Sequence, residues 1–248
     1  MGLKFISNDS VAPWNSKVVP PVTRGLEGWF TFDTDVNRFS FNRAIGKPNA
    51  SIQGAPVAFA THGRFKGMTD FITTQIPETD EFTFIAVGKA LVAPTGNLDG
   101  VALVSSYLGD PVAAGITGFP PGASLFLRSA AGGTGSVSRS NGSNATVADM
   151  IGLPSGSPTS WRILACSGKS GEATKVYDLT NNTAATGSDV RARVLNNRMA
   201  RIGSAYKDFL GESDISVVAI FSKVLSKAEI DATAAIMRIR MSRLGIVV

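Results

Sequence analysis

A chain of 248 residues with 44% hydrophobic content is long enough to bury a full core, and all-β sandwiches reach this size as single domains. Its formal charge of +5, from 24 Lys and Arg against 19 Asp and Glu, lacks the dense basic stripe with interleaved aromatics of a nucleic-acid binder, so no nucleic-acid partner is expected. One cysteine forbids an intramolecular disulfide, and no apolar run approaches the ~20 residues of a membrane span, so no membrane insertion is expected.

Residues 1–24 read as an extended N-terminal arm. Pro13, Pro20 and Pro21 remove backbone donors and favour a polyproline-like course. Trp14, Val18, Val19 and Val22 are too apolar for a solvated tail, so the arm is expected to pack on its own domain or on a neighbour. The start of the chain shows no basic region followed by an apolar segment, and synthesis without an export signal is expected.

Strand signals begin at Gly25. In Leu26–Phe32, Leu26, Gly28, Phe30 and Phe32 alternate with Glu27, Trp29 and Thr31 at period two, as a sandwich strand requires. Further strands are predicted over 50–53, 70–73, 82–88, 101–105, 123–128, 161–166, 174–178, 198–203 and 215–221, separated by loops rich in Gly and Asn. The longest predicted loop, 130–160, shows no strong periodicity. His62 falls in a turn-like stretch, and Cys166 in an apolar strand where a buried, inert thiol is expected.

The one predicted helix starts near Ser226. Ser226 and Glu229 have capping-box spacing, Ile230, Ala234, Met237, Met241 and Leu244 form an apolar stripe, and Gly245 suits a left-handed stop. The predicted organisation is therefore an arm over 1–24, a β-domain over 25–225 and a C-terminal helix over 226–248, packed on the domain or on a neighbour.

The order of these segments resembles the laminin-G-like, concanavalin-A-like jelly-roll family. Gly25–Asp33 is similar to its first strand, Asn49–Pro56 to the segment after the first loop, and Phe82–Val87 with Gly88 and Lys89 to its central strand. Trp161–Ala165 resembles the Trp-led strand, Lys175–Asp178 the strand carrying a ligand-side turn, Arg201–Gly203 through Asp214 the last loop and strand, and Leu225–Ile230 the closing turn. The resemblance implies an all-β, two-sheet antiparallel sandwich and a module that binds glycans or proteins. Some members use calcium; Asp33, Asp35, Asp110 and Asp208 are loop acids, but no dense ligand run exists, and neither metal nor cofactor is expected. Glycoside hydrolases of the family use paired carboxylates. Glu212 and Asp214 have that spacing, but Ser216 and Val217 stand where the second glutamate is needed, so no enzymatic activity is expected.

Candidate carbohydrate-binding residues are Tyr107 with Asp110, and Tyr206 with Lys207 and Asp208, where a ring can stack on a sugar and neighbouring groups bond its hydroxyls. The resemblance extends to bacteriophage tail-fibre proteins. It implies a virion adhesion protein that binds a host surface glycan, contacts other virion proteins and assembles as a homo-oligomer, a trimer, through its arm. A purely structural virion protein and a glycan-cleaving hydrolase are the alternatives.

Overall fold

The computed structural model describes residues 19–129 and 132–248. Within them the chain forms β1 (Leu26–Thr31), β2 (Ser51–Gln53), β3 (Val57–Ala58), β4 (Gly63–Lys66), β5 (Phe71–Pro77), β6 (Phe82–Ala90), β7 (Val101–Ser105) and β8 (Ser124–Ser129). It continues with β9 (Gly132–Ser140), β10 (Thr146–Gly152), β11 (Arg162–Lys169), β12 (Glu172–Asp178), β13 (Thr183–Thr186), β14 (Met199–Ile202), β15 (Glu212–Phe221) and the helix α1 (Lys227–Arg243). Two antiparallel sheets result. The first runs β13-β12-β11-β6-β15-β4-β3, with β1 also paired to β15, and the second runs β10-β9-β8-β7-β14-β5-β2. This is the two-sheet sandwich predicted, and its opening and closing strands pair directly, Trp29 opposite Ala219 and Phe30 opposite Val218.

Between the sheets lies a core of Phe30, Phe32, Phe65, Phe84, Leu103, Leu125, Leu164, Ile202, Val218 and Ile220. The first sheet is apolar on its outer face too. Along β6, Phe84 and Ala86 enter the inter-sheet core while Ile85 and Val87 join Trp29, Ile163, Ala165, Val217 and Ala219 under the helix. Burial on both faces is why these strands read as unbroken apolar runs instead of alternating ones.

Helix α1 closes that outer face with Ile230, Ala234, Met237 and Met241, all fully buried. Its start is a complete capping box: Glu229 N donates to Ser226 Oγ at 3.3 Å and Ser226 N to Glu229 Oε2 at 2.8 Å. Arg24 pairs with Glu229 at 3.0 Å and Arg240 with Asp33 at 2.7 Å, tying both ends of the helix to the sandwich. Gly245 takes φ +74°, the left-handed conformation that residues bearing a Cβ adopt at a cost. The predicted stripe from Ile230 to Met241 is thus buried within the domain, with Leu244 half-buried at its end.

Three expectations need correction or bounding. The period-two reading of β1 fails at its start: a register shift between Leu26 and Gly28 turns Leu26 to the helix side with Trp29, while Phe30 and Phe32 face the core. The predicted loop 130–160 contains the hairpin β9–β10. Its first strand reads Gly-Gly-Thr-Gly-Ser-Val-Ser-Arg-Ser, because the sheets approach closely there; a Cβ on Gly135 would lie 2.5 Å from both Cys166 Sγ and Val176 Cγ2. Of the arm, residues 1–18, including Trp14 and Val18, lie outside the described residues. Within 19–24, Val22 is buried in the helix-side cluster and Val19 is 81% exposed.

Candidate functional site

Beyond the stretch covered by α1, the outer face of the first sheet carries a row of polar and aromatic side chains. Strand register places Asp214 of β15 opposite both Lys89 of β6 and Arg64 of β4. Arg162 of β11 pairs with Gly88, so Trp161, one residue earlier, continues the row, its ring centroid 5.5 Å from Lys89 Nζ. A second register shift, between Ile215 and Val217, decides which residues of β15 face outward here. It turns Ser213 and Ile215 inward and brings Glu212 and Asp214 out.

Asp214 is the hub. At 2% exposed, it accepts from Arg64 Nε at 2.9 Å and Nη2 at 3.3 Å, with Lys89 Nζ at 3.7 Å. His62, just before β4, stacks on Phe59 with centroids 4.7 Å apart and meets Trp161 edge-on at 5.3 Å. Its Nδ1 is 2.8 Å from Thr61 Oγ1 and its Nε2 3.4 Å from Asp214 Oδ2. Burial holds the imidazole below its usual pKa and Arg64 and Lys89 add to this, while Asp214 acts in the opposite sense. The hydrogen bonds that Arg64 donates to Asp214 raise the guanidinium pKa in turn. His62 is in a loop, as expected, but its ring is locked into this assembly.

Trp161 is also one wall of an open cleft of about 440 Å³ lined by Ser155, Gly156, Ser157, Ser160, Arg162, Thr180 and Asn181. The cleft is braced from below by one buried ion pair. Arg162 donates through Nε to Asp178 Oδ2 at 2.9 Å, makes a second contact through Nη2, and reaches Ser157 O through Nη1 at 3.4 Å. Asp178 Oδ1 accepts from the backbone of Thr180 at 3.0 Å and Asn181 at 3.1 Å, and Oδ2 accepts from Asn181 Nδ2 at 2.6 Å. Gly156, at φ +133°, lets the 155–157 segment lie against the guanidinium, where a Cβ would collide. One carboxylate therefore fixes both the 155–157 wall and the 180–181 wall.

The residues singled out from sequence come together on the other sheet. Tyr206 N donates to Tyr107 O at 2.5 Å, so both candidate loops share the outer face of the second sheet. The Tyr107 ring, 9% exposed, is packed edge-on against the stacked pair Phe126 and Phe209, and burial raises its hydroxyl pKa. Tyr206 lies between Arg201 at 3.5 Å and Arg198 at 4.7 Å and donates its hydroxyl to Met199 O. Asp110 is exposed and bonded to Asn197, Lys207 is exposed, and Asp208 is half-buried at φ +56°. Tyr107 thus packs beneath the loops and Tyr206 is flanked by guanidinium groups.

The loop acids weighed as calcium ligands are dispersed: Asp33 pairs with Arg240, and Asp35 caps a short 3-10 turn through Asn37 N. Glu212 faces Lys66 at 3.5 Å, as Asp214 faces Arg64. The two carboxylates share a face, yet each is set against its own cation.

No family model matches the sequence, and no curated protein matches it. Among solved structures, a Trypanosoma rangeli sialidase in complex with the inhibitor DANA superposes with TM-score 0.60 at 14% identity, covering 86% of this chain and 33% of that one. The receptor-binding domain of a botulinum neurotoxin C/D mosaic gives 0.57 at 11% identity, covering 87% and 52%. A botulinum neurotoxin DC binding domain, in complex with SialylT, gives 0.56 at 11% identity, covering 87% and 51%. The chain therefore spans between a third and about half of the length of these solved proteins. It shares their sandwich fold.

Proposed function

We propose that this chain is a non-enzymatic carbohydrate-binding module whose site is the Trp161 cleft. The observation that carries the reading is the pairing of an indole wall with walls of hydroxyl and amide groups in an open cleft of about 440 Å³. Sugar recognition calls for this combination, an apolar face for the ring's C–H groups and adaptable polar groups for its hydroxyls. Rigidity supports the reading as well, since the Arg162–Asp178 brace sets the walls before any ligand arrives and lowers the ordering cost of binding. The sandwiches to which the chain is similar include one solved in complex with SialylT, which agrees with it.

Against hydrolysis stands the pairing of Glu212 and Asp214 with Lys66 and Arg64, which leaves neither carboxylate placed to protonate a leaving oxygen. For the setting, we carry the proposal that the segment order suggests: a virion adhesion protein of the tail-fibre class, assembled as a trimer through its arm and contacting other virion proteins. A printed glycan array probed with the full chain tests the binding reading. Discrete binding that Trp161→Ala weakens is expected, and a blank array overturns it; mass spectrometry of purified particles tests the setting.

A further inference from the structure

We propose that the glycan taken by the Trp161 cleft is acidic, and that its carboxylate or sulfate group is received by Lys89 and Arg64, in the row of side chains that runs on from Trp161. This rests on the reading of the cleft as a sugar site. Trp161, Lys89, Asp214 and Arg64 occupy neighbouring strands in one row, and Lys89 Nζ stands 5.5 Å from the indole centroid, within reach of an anionic substituent on a sugar held at Trp161.

The charges in that row do not cancel. Asp214 supplies one negative charge and is buried at 2%, whereas Lys89 and Arg64 are 28% and 37% exposed and lie above it. With His62 held neutral by its surroundings, the row carries one uncompensated positive charge at the surface. Glu212 does not supply the balance, because Lys66 faces it. Lys89 Nζ is 3.7 Å from the carboxylate, too long for a hydrogen bond, so its donors remain available to a ligand. Asp214 acts here as a positioning residue, anchoring Arg64 through two hydrogen bonds.

The test is an array of matched neutral, carboxylated and sulfated glycans, read with the full chain and with Lys89→Gln, each checked for native circular dichroism. Acidic members should bind at least tenfold better than their neutral partners, and Lys89→Gln should cut that preference severalfold. A second reading needs no variant: raising salt from 50 to 500 mM should weaken acidic binding far more than neutral binding. Carboxylated and sulfated members separate the two possible anions. Equal binding of matched pairs, or a preference indifferent to both salt and Lys89→Gln, overturns this inference and leaves the sugar site standing. A blank array overturns both.

Discussion

Replacing Asp178 with alanine should be among the most damaging single changes near the cleft. The substitution leaves the Arg162 guanidinium, 1% exposed, without its counter-charge, and stranding one partner of a buried pair costs about 3–5 kcal/mol. The backbone amides of Thr180 and Asn181 lose their acceptor as well, but both sit at a turn where water can replace it. For a domain of this size each kcal/mol lowers Tm by roughly 2–4 °C, so a fall of about 6–20 °C is expected. Urea denaturation read by tryptophan fluorescence gives the free energy directly. The double variant Arg162→Met with Asp178→Leu should recover a large part of the loss, since apolar replacements remove the stranded charge along with its partner. A loss under about 1 kcal/mol for Asp178→Ala would refute the reasoning, because it would mean that the guanidinium is solvated and the walls of the cleft stand without the brace.

Two further effects follow from local chemistry. Ser226→Ala should cost on the order of 1 kcal/mol in urea denaturation by removing the acceptor for Glu229 N, and an unchanged midpoint would show that the capping box carries no weight. His62 has its pKa lowered in the folded chain by burial and by Arg64 and Lys89, so the unfolded chain takes up a proton first as pH falls. Its contribution is fully present above about pH 6.5 and is lost below that value; the denaturation midpoint should drop between pH 7.5 and 5.5, and the drop should flatten in His62→Gln. Equal slopes in the two proteins would contradict the burial of the imidazole.

Much of the architecture was legible because it rests on local patterns. The strands β1 and β15 and the cap at Ser226 each depend on a few contiguous residues whose spacing survives in the fold. Strand β9 was not legible, since its inward positions Gly133, Gly135 and Val137 are fixed by how closely β11 and β12 approach, a distance no local pattern records. The site was hidden for two reasons. Arg64, Lys89, Trp161 and Asp214 are brought into one row by strand order, across 150 residues of sequence between the outer pair. The irregularity between Ile215 and Val217 also reverses the alternation, so counting by twos from Val217 would have sent Asp214 into the core. For Tyr107, composition suggested a displayed ring, but Phe126 and Phe209 form an apolar patch that takes it in.

The central claim is that Trp161 and the braced walls beside it form a sugar site. Trp161 is half-buried against the helix-side cluster, so a sugar can cover at most about a third of the 150–250 Å² that an indole buries, roughly 50–80 Å² of apolar surface. At about 25 cal/mol per Å² this is worth ~1–2 kcal/mol, on the order of tenfold in Kd. Titration calorimetry with the strongest array ligand should therefore show Trp161→Ala weakening binding about tenfold, while Tyr206→Ala on the opposite sheet leaves it unchanged. Binding that survives Trp161→Ala and fails in Tyr206→Ala would contradict the account and move the site to the other face of the sandwich.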